Sequence, residues 1–115
     1  MNNPHKSADV LKYLDSIVPN TPELQLVGEQ EAMRIMFTQV LIDARLSSGM
    51  THEQIATAIN KDVEWVKRVE DCNYSHTWDD FVTYMRALNA NFEITVNLPN
   101  GSNVKLSSDE IRRLA

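Results

Sequence analysis

Few residues of this chain are equipped for covalent or metal chemistry. Cys72 and His76 stand four positions apart, with His52 upstream. A structural metal site takes about four ligands at ordered spacing. A thiolate nucleophile needs a base, a third group to orient that base, and donors for the developing oxyanion. Neither set is present, so Cys72 reads as a free thiol, His76 as a polar loop histidine, and no metal or cofactor is expected. Asp79 and Asp80 are adjacent carboxylates, but they fall at the start of a predicted helix, where the helix dipole and capping explain them. The chain has only 3 glycines and none of them builds a phosphate-cradling loop. Catalysis is therefore not expected, and binding becomes the question.

Size and charge narrow that question. The chain has 115 residues, 43% of them hydrophobic, which suits one domain with one real core. Eleven basic residues against sixteen acidic ones leave a net charge of −5. A nucleic-acid partner would then have to be met by a local basic face, because the chain as a whole repels it. No apolar run approaches the roughly 18 residues of a membrane span. The polar start, Met1 to Ser7, is not followed by the apolar block of a signal peptide, and a lone cysteine makes no internal disulfide. A soluble cytoplasmic protein that does not engage a membrane is expected.

The elements follow from periodicity and end signals. Residues 1–28 read as an arm punctuated by Pro4, Pro19, Pro22 and Gly28. Within it Ala8 to Val18 is predicted helical, capped by Ser7, and Pro19 to Pro22 is predicted to be a linker. Residues 29–47 carry the longest helical signal, with Met33, Phe37, Val40, Leu41 and Ala44 at three- and four-residue steps. Gly49 suits its left-handed C-cap. Thr51 with Gln54 forms a capping box for a short helix bearing Ile55, Ala56 and Ile59. After a tight connection at Asn60 and Lys61, Asp62 caps a second short helix carrying Val63, Val66 and Val69. Thr77 with Asp80 starts a further helix with the stripe Trp78, Phe81, Met85 and Leu88. Beyond Leu88 the period changes to alternation through Phe92, Ile94, Val96 and Leu98, which predicts a half-buried strand. Pro99 to Ser102 is a turn signal. Val104 and Leu106 predict a returning strand, and Ser107 or Ser108 caps a last helical turn, Asp109 to Leu114.

The block Arg45-Leu-Ser-Ser-Gly-Met-Thr51-His-Glu-Gln-Ile-Ala56 resembles the opening of the XRE (Cro/C1-type) helix-turn-helix family. The likeness continues through Ile59-Asn60 and Val66-Lys-Arg-Val-Glu70, and resumes at Thr77-Trp-Asp-Asp-Phe and Met85-Arg-Ala-Leu88. It covers roughly residues 36–90. It implies a mainly α, five-helix lambda-repressor-like domain over 29–90, preceded by the helical arm and followed over 91–115 by a strand or hairpin. A strand at that place is similar to the arrangement of HipB- and HigA-like antitoxins, in which strands of two chains pair. Phe92, Ile94, Val96 and Leu98 are then the expected dimer stripe. A homodimer suits a palindromic operator.

The same resemblance makes Asp62 to Asp71 the recognition helix. It implies double-stranded DNA contacts by Thr51, His52, Lys61, Val63, Glu64, Trp65, Lys67, Arg68 and Tyr74. Lys67 and Arg68 would meet phosphates or guanine, Val63 a thymine methyl, and Glu64 a cytosine amino group. Tyr74 either reaches a phosphate or covers the core edge, Trp65 is a wedge or a plug, and Trp78 is expected in the core. The implied function is an autoregulating, antitoxin-like repressor with a cognate toxin as a further partner. The alternative is an interaction module of the same fold that does not read DNA, suggested by the acidic residues Asp62, Glu64, Glu70 and Asp71.

Overall fold

The computed structural model describes residues 12 and 21–114; apart from residue 12, the expected helix from Ala8 to Val18 lies outside the described residues. The chain is mainly helical, with one antiparallel hairpin near the C-terminus. In order it runs α1 (Pro22–Ser48), α2 (His52–Ala58), α3 (Val63–Val69), α4 (Trp78–Ala87), β1 (Glu93–Asn97), β2 (Asn103–Ser107) and α5 (Ser108–Leu114).

Helix α1 starts at Pro22, earlier than the expected Glu29. Thr21 is its N-cap, accepting from the Leu24 amide, and Pro22 takes the first turn, where its missing N–H costs nothing. Pro22 thus opens a helix and does not belong to a linker. Gly28 does not break the helix, because one interior glycine costs only about 1 kcal/mol and strong helix formers flank it. The C-terminal end is as expected: Gly49, at φ 70, turns the chain and donates to the carbonyls of Arg45 and Leu46.

The two short helices and α4 start at the expected caps. The Thr51 side chain accepts from the Gln54 amide and the Gln54 side chain accepts in return from the Thr51 amide. Asp62 accepts from the Trp65 amide at 2.8 Å. Thr77 and Asp80 form the second capping box. Between α2 and α3 the chain turns at Asn60, which takes a left-handed φ of 55°. These helices enclose a core in which Leu41, Ile55, Val66, Val69 and Tyr84 are wholly buried. Ala56 is also buried in this cluster, where α2 and α3 pack. Ala56→Leu should overpack the crossing and cost roughly 1–3 kcal/mol, read as a lower urea midpoint at unchanged slope.

Three apolar residues of the helices sit elsewhere than their periodicity suggested. Met33 and Val40 of α1 are exposed, and the buried α1 positions are Gly28, Ala32, Thr38 and Leu41. Trp78 is 51% exposed and is not a core plug. At the first residue of α4 its ring lies over Phe81 and edge-on to Phe92, so one side stays in solvent.

The hairpin pairs Glu93 with Ser107, Thr95 with Lys105 and Asn97 with Asn103, with Ile94–Leu106 and Val96–Val104 between them. Alternation puts Ile94, Val96, Val104 and Leu106 on one face and the polar pairs on the other. Gly101, at φ 89, closes the turn, and the Asn100 side chain accepts from the Ser102 amide. At the base, Phe92 and Ser108 exchange two bonds: the Phe92 amide donates to Ser108 Oγ at 2.9 Å and the Ser108 amide to the Phe92 carbonyl at 3.0 Å. Among the described residues no helix is long and apolar enough to cross a membrane, and no cluster of His, Cys, Asp and Glu could hold a metal ion.

Candidate nucleic-acid interface

The candidate surface is built on a buried carboxylate. Glu70, the C-cap of α3, has only 7% of its side chain exposed. It accepts from Arg45 of α1 twice, at 2.7 Å from Nε and 3.1 Å from Nη2. The Tyr84 hydroxyl of α4 donates to it at 2.5 Å, and His52 Nε2, at the start of α2, lies 3.0 Å away. Four helices therefore meet on one carboxylate group, which sets how α3 stands on its support. The Tyr84 hydroxyl is also 3.2 Å from the Leu41 carbonyl.

These contacts set the titration of the cluster. Burial alone would raise the Glu70 carboxyl, but hydrogen bonds from Arg45, Tyr84 and His52 outweigh it and hold it below the ordinary carboxylate range. Burial, reinforced by the bond to Glu70, pushes the Tyr84 phenol up. The bond to Glu70 raises Arg45 further despite its burial. Because the folded value of Glu70 is depressed, its stabilisation is present above the unfolded carboxyl value of about 4.3 and is lost as pH falls below it. Glu70→Gln should flatten the acid limb of a stability-against-pH profile below about pH 4.3. An acid limb of unchanged slope would show that other carboxylates cause it.

Above this support, α3 buries Val66 and Val69 and exposes Glu64, Lys67 and Arg68. Glu64 and Asp71 each stand three or four residues from both Lys67 and Arg68, so the four form one outward stripe. Lys67 and Arg68 make no ion pair among the described residues. The surface is less acidic by one charge than the sequence implied, because Glu70 is withdrawn into its pair with Arg45, while the N-cap Asp62 stays exposed. What remains outward on α3 and at Asp71, two residues past its end, is two cations, Lys67 and Arg68, and two anions, Glu64 and Asp71.

The other expected contact residues divide into exposed ones and ones packed or tied to the core. Thr51 and Lys61 are exposed, and the Lys61 ammonium lies 5.5 Å from the centroid of the Trp65 ring. Val63 and Trp65 are half-buried and pack on the core. His52 is tied to Glu70. The Tyr74 hydroxyl donates to Asp80 at 2.8 Å, and its ring packs on the core and on His76. That bond to Asp80, with burial, raises the Tyr74 phenol. His76 is more than a loop residue: its Nε2 donates to the Val69 carbonyl at 2.6 Å and its ring meets Phe37 edge-on. Cys72 is exposed.

Of the expected dimer stripe, Phe92 is half-buried against Phe81 and Trp78, and Ile94 is half-buried. Val96 and Leu98 are exposed, 51% and 41%. Within the hairpin Val96 faces Val104 of the same chain.

Arg45 and Tyr84 were not foreseen as a unit with Glu70. The one available signal was a carboxylate directly after Val69, at a position too close to the core to be solvated. Comparison with protein-family models, with curated proteins and with solved structures finds no match for this chain.

Proposed function

We propose that the chain is a non-catalytic, dimeric DNA-binding regulator of the XRE type, acting in the cytoplasm. In this reading α2, the turn at Asn60 and α3 are a helix-turn-helix, and α3 enters the major groove. Lys67, Arg68 and Glu64 meet phosphates and base edges, with Lys61, Thr51 and His52 along the flanking backbone. The observation that carries the reading is the outward stripe of α3, with two cations that make no ion pair among the described residues, on a helix whose inner face and C-terminal end are fixed by Val66, Val69 and Glu70. The exposed hairpin residues Val96 and Leu98 supply the dimer contact, and a two-fold pair of α3 helices reads the two half-sites of a palindrome. An autoregulating antitoxin with a toxin as second partner is the specific form of this proposal.

The balanced charge of the stripe favours a second reading, an interaction module that binds protein and leaves DNA alone. Selection from a pool of randomised duplexes separates the two. Enrichment of an inverted repeat supports the regulator, and a pool that stays random through successive rounds at low salt supports the module.

A further inference from the structure

A groove of about 790 Å³ opens where the α2–α3 turn, α4, the base of the hairpin and α5 come together. Ile59, Trp78, Val82, Phe92, Leu106 and Ile111 give it an apolar lining. Trp78, Val82 and Ile111 are 51%, 42% and 52% exposed, a cost in apolar hydration that a monomer seldom carries without a use for it. The volume falls in the range of small-molecule sites, which are mostly apolar with a few polar groups that fix orientation.

The charged residues of the lining are all of one sign. Arg86 and Arg112 line the groove and, among the described residues, no aspartate or glutamate does, in a chain whose net charge is −5. Neither arginine forms an ion pair among the described residues; Arg112 donates only to the neutral Asn91 side chain, at 2.8 Å. An apolar lining with two unpaired guanidinium groups is complementary to an amphiphilic anion. The planar fork of a guanidinium matches a carboxylate.

We propose that this groove binds a small amphiphilic carboxylate, its hydrocarbon against Trp78, Val82, Leu106 and Ile111 and its charge on Arg86 and Arg112. The site stands apart from the outward face of α3 and does not depend on DNA reading.

Trp78 lines the groove and reports on it. In the full chain carrying Trp65→Phe it is the sole tryptophan, because the chain has two. Titration with octanoate should give a saturable blue shift of its emission. Arg86→Gln and Arg112→Gln together should weaken octanoate by about tenfold or more. The same double variant should leave octan-1-ol binding unchanged, which shows that the groove is intact. Val82→Asp should weaken both ligands. No saturable change with octanoate would overturn the proposal, as would equal binding of octanoate and octanol, or a double variant that binds octanoate as before. Emission that shifts with protein concentration and ignores octanoate would also overturn it, assigning the groove to a second copy of the chain.

Discussion

Glu70→Ala should lower the unfolding free energy by about 3–5 kcal/mol, a large fraction of the roughly 5–15 kcal/mol that holds a domain of this size. The loss comes from what the substitution leaves behind. Arg45 keeps a guanidinium with only 13% of its side chain exposed and no carboxylate opposite it. Tyr84 keeps a wholly buried ring whose hydroxyl has only the Leu41 carbonyl left. His52 loses the contact that ties α2 to the end of α3. Tyr84→Phe removes one bond and leaves the ion pair, so it should cost less, roughly 1–2 kcal/mol. Arg45→Met with Glu70→Leu removes both charges and should recover much of the loss, since paired buried charges stabilise little against apolar replacements. Urea unfolding measures all three. A cost for Glu70→Ala below about 1 kcal/mol would mean that the pair is solvated and does not hold α3.

Lys67→Ala with Arg68→Ala should reduce affinity for the selected duplex by about 10–100-fold near 100 mM salt, with the fold intact. Both side chains are exposed and neither is engaged in an ion pair among the described residues, so their removal touches no described core contact. Each phosphate contact releases counterions and adds about 0.9 to the slope of log affinity against log salt. Loss of two should therefore reduce that slope by about 2. The neutral stripe sets the scale: Glu64 and Asp71 offset part of the attraction, so the parent slope itself should be shallow. Anisotropy titrations at several salt concentrations give both numbers. An affinity that falls while the slope stays fixed would place the two side chains on base edges and not on phosphates. If neither moves, they do not touch DNA.

What the sequence made legible was mostly local. A cap is a residue and its neighbour three positions on, so Thr51 with Gln54, Asp62, and Thr77 with Asp80 could all be read before any packing was known. The same holds for the left-handed turns at Gly49 and Asn60 and for the turn at Pro99 to Ser102. The resemblance put Val63, Glu64, Trp65, Lys67 and Arg68 outward; Glu64, Lys67 and Arg68 are exposed, whereas Val63 and Trp65 pack on the core. Residues whose state depends on a distant partner were not legible. Glu70 looked like one more acid on a reading helix, yet Arg45, His52 and Tyr84, from three other elements, converge on it. Tyr74 was ambiguous, and His76 read as a plain loop residue, for the same reason: Asp80 and the Val69 carbonyl decide their roles. Trp78 had the periodicity of a core residue, but it sits in the first turn of α4, where the helix leaves the core, and half of it stays exposed. In α1 the apolar residues outnumber the positions the core can take, and composition does not reveal which of Met33, Val40 and Leu41 turns inward.

Amide chemical-shift mapping of the labelled chain on the duplex recovered by selection locates the binding face residue by residue. Shifts centred on Asp62 to Arg68, with a second group at Thr51 and His52, are the predicted result. Shifts confined to the hairpin and α5, with the α3 stripe unmoved at saturation, would contradict it.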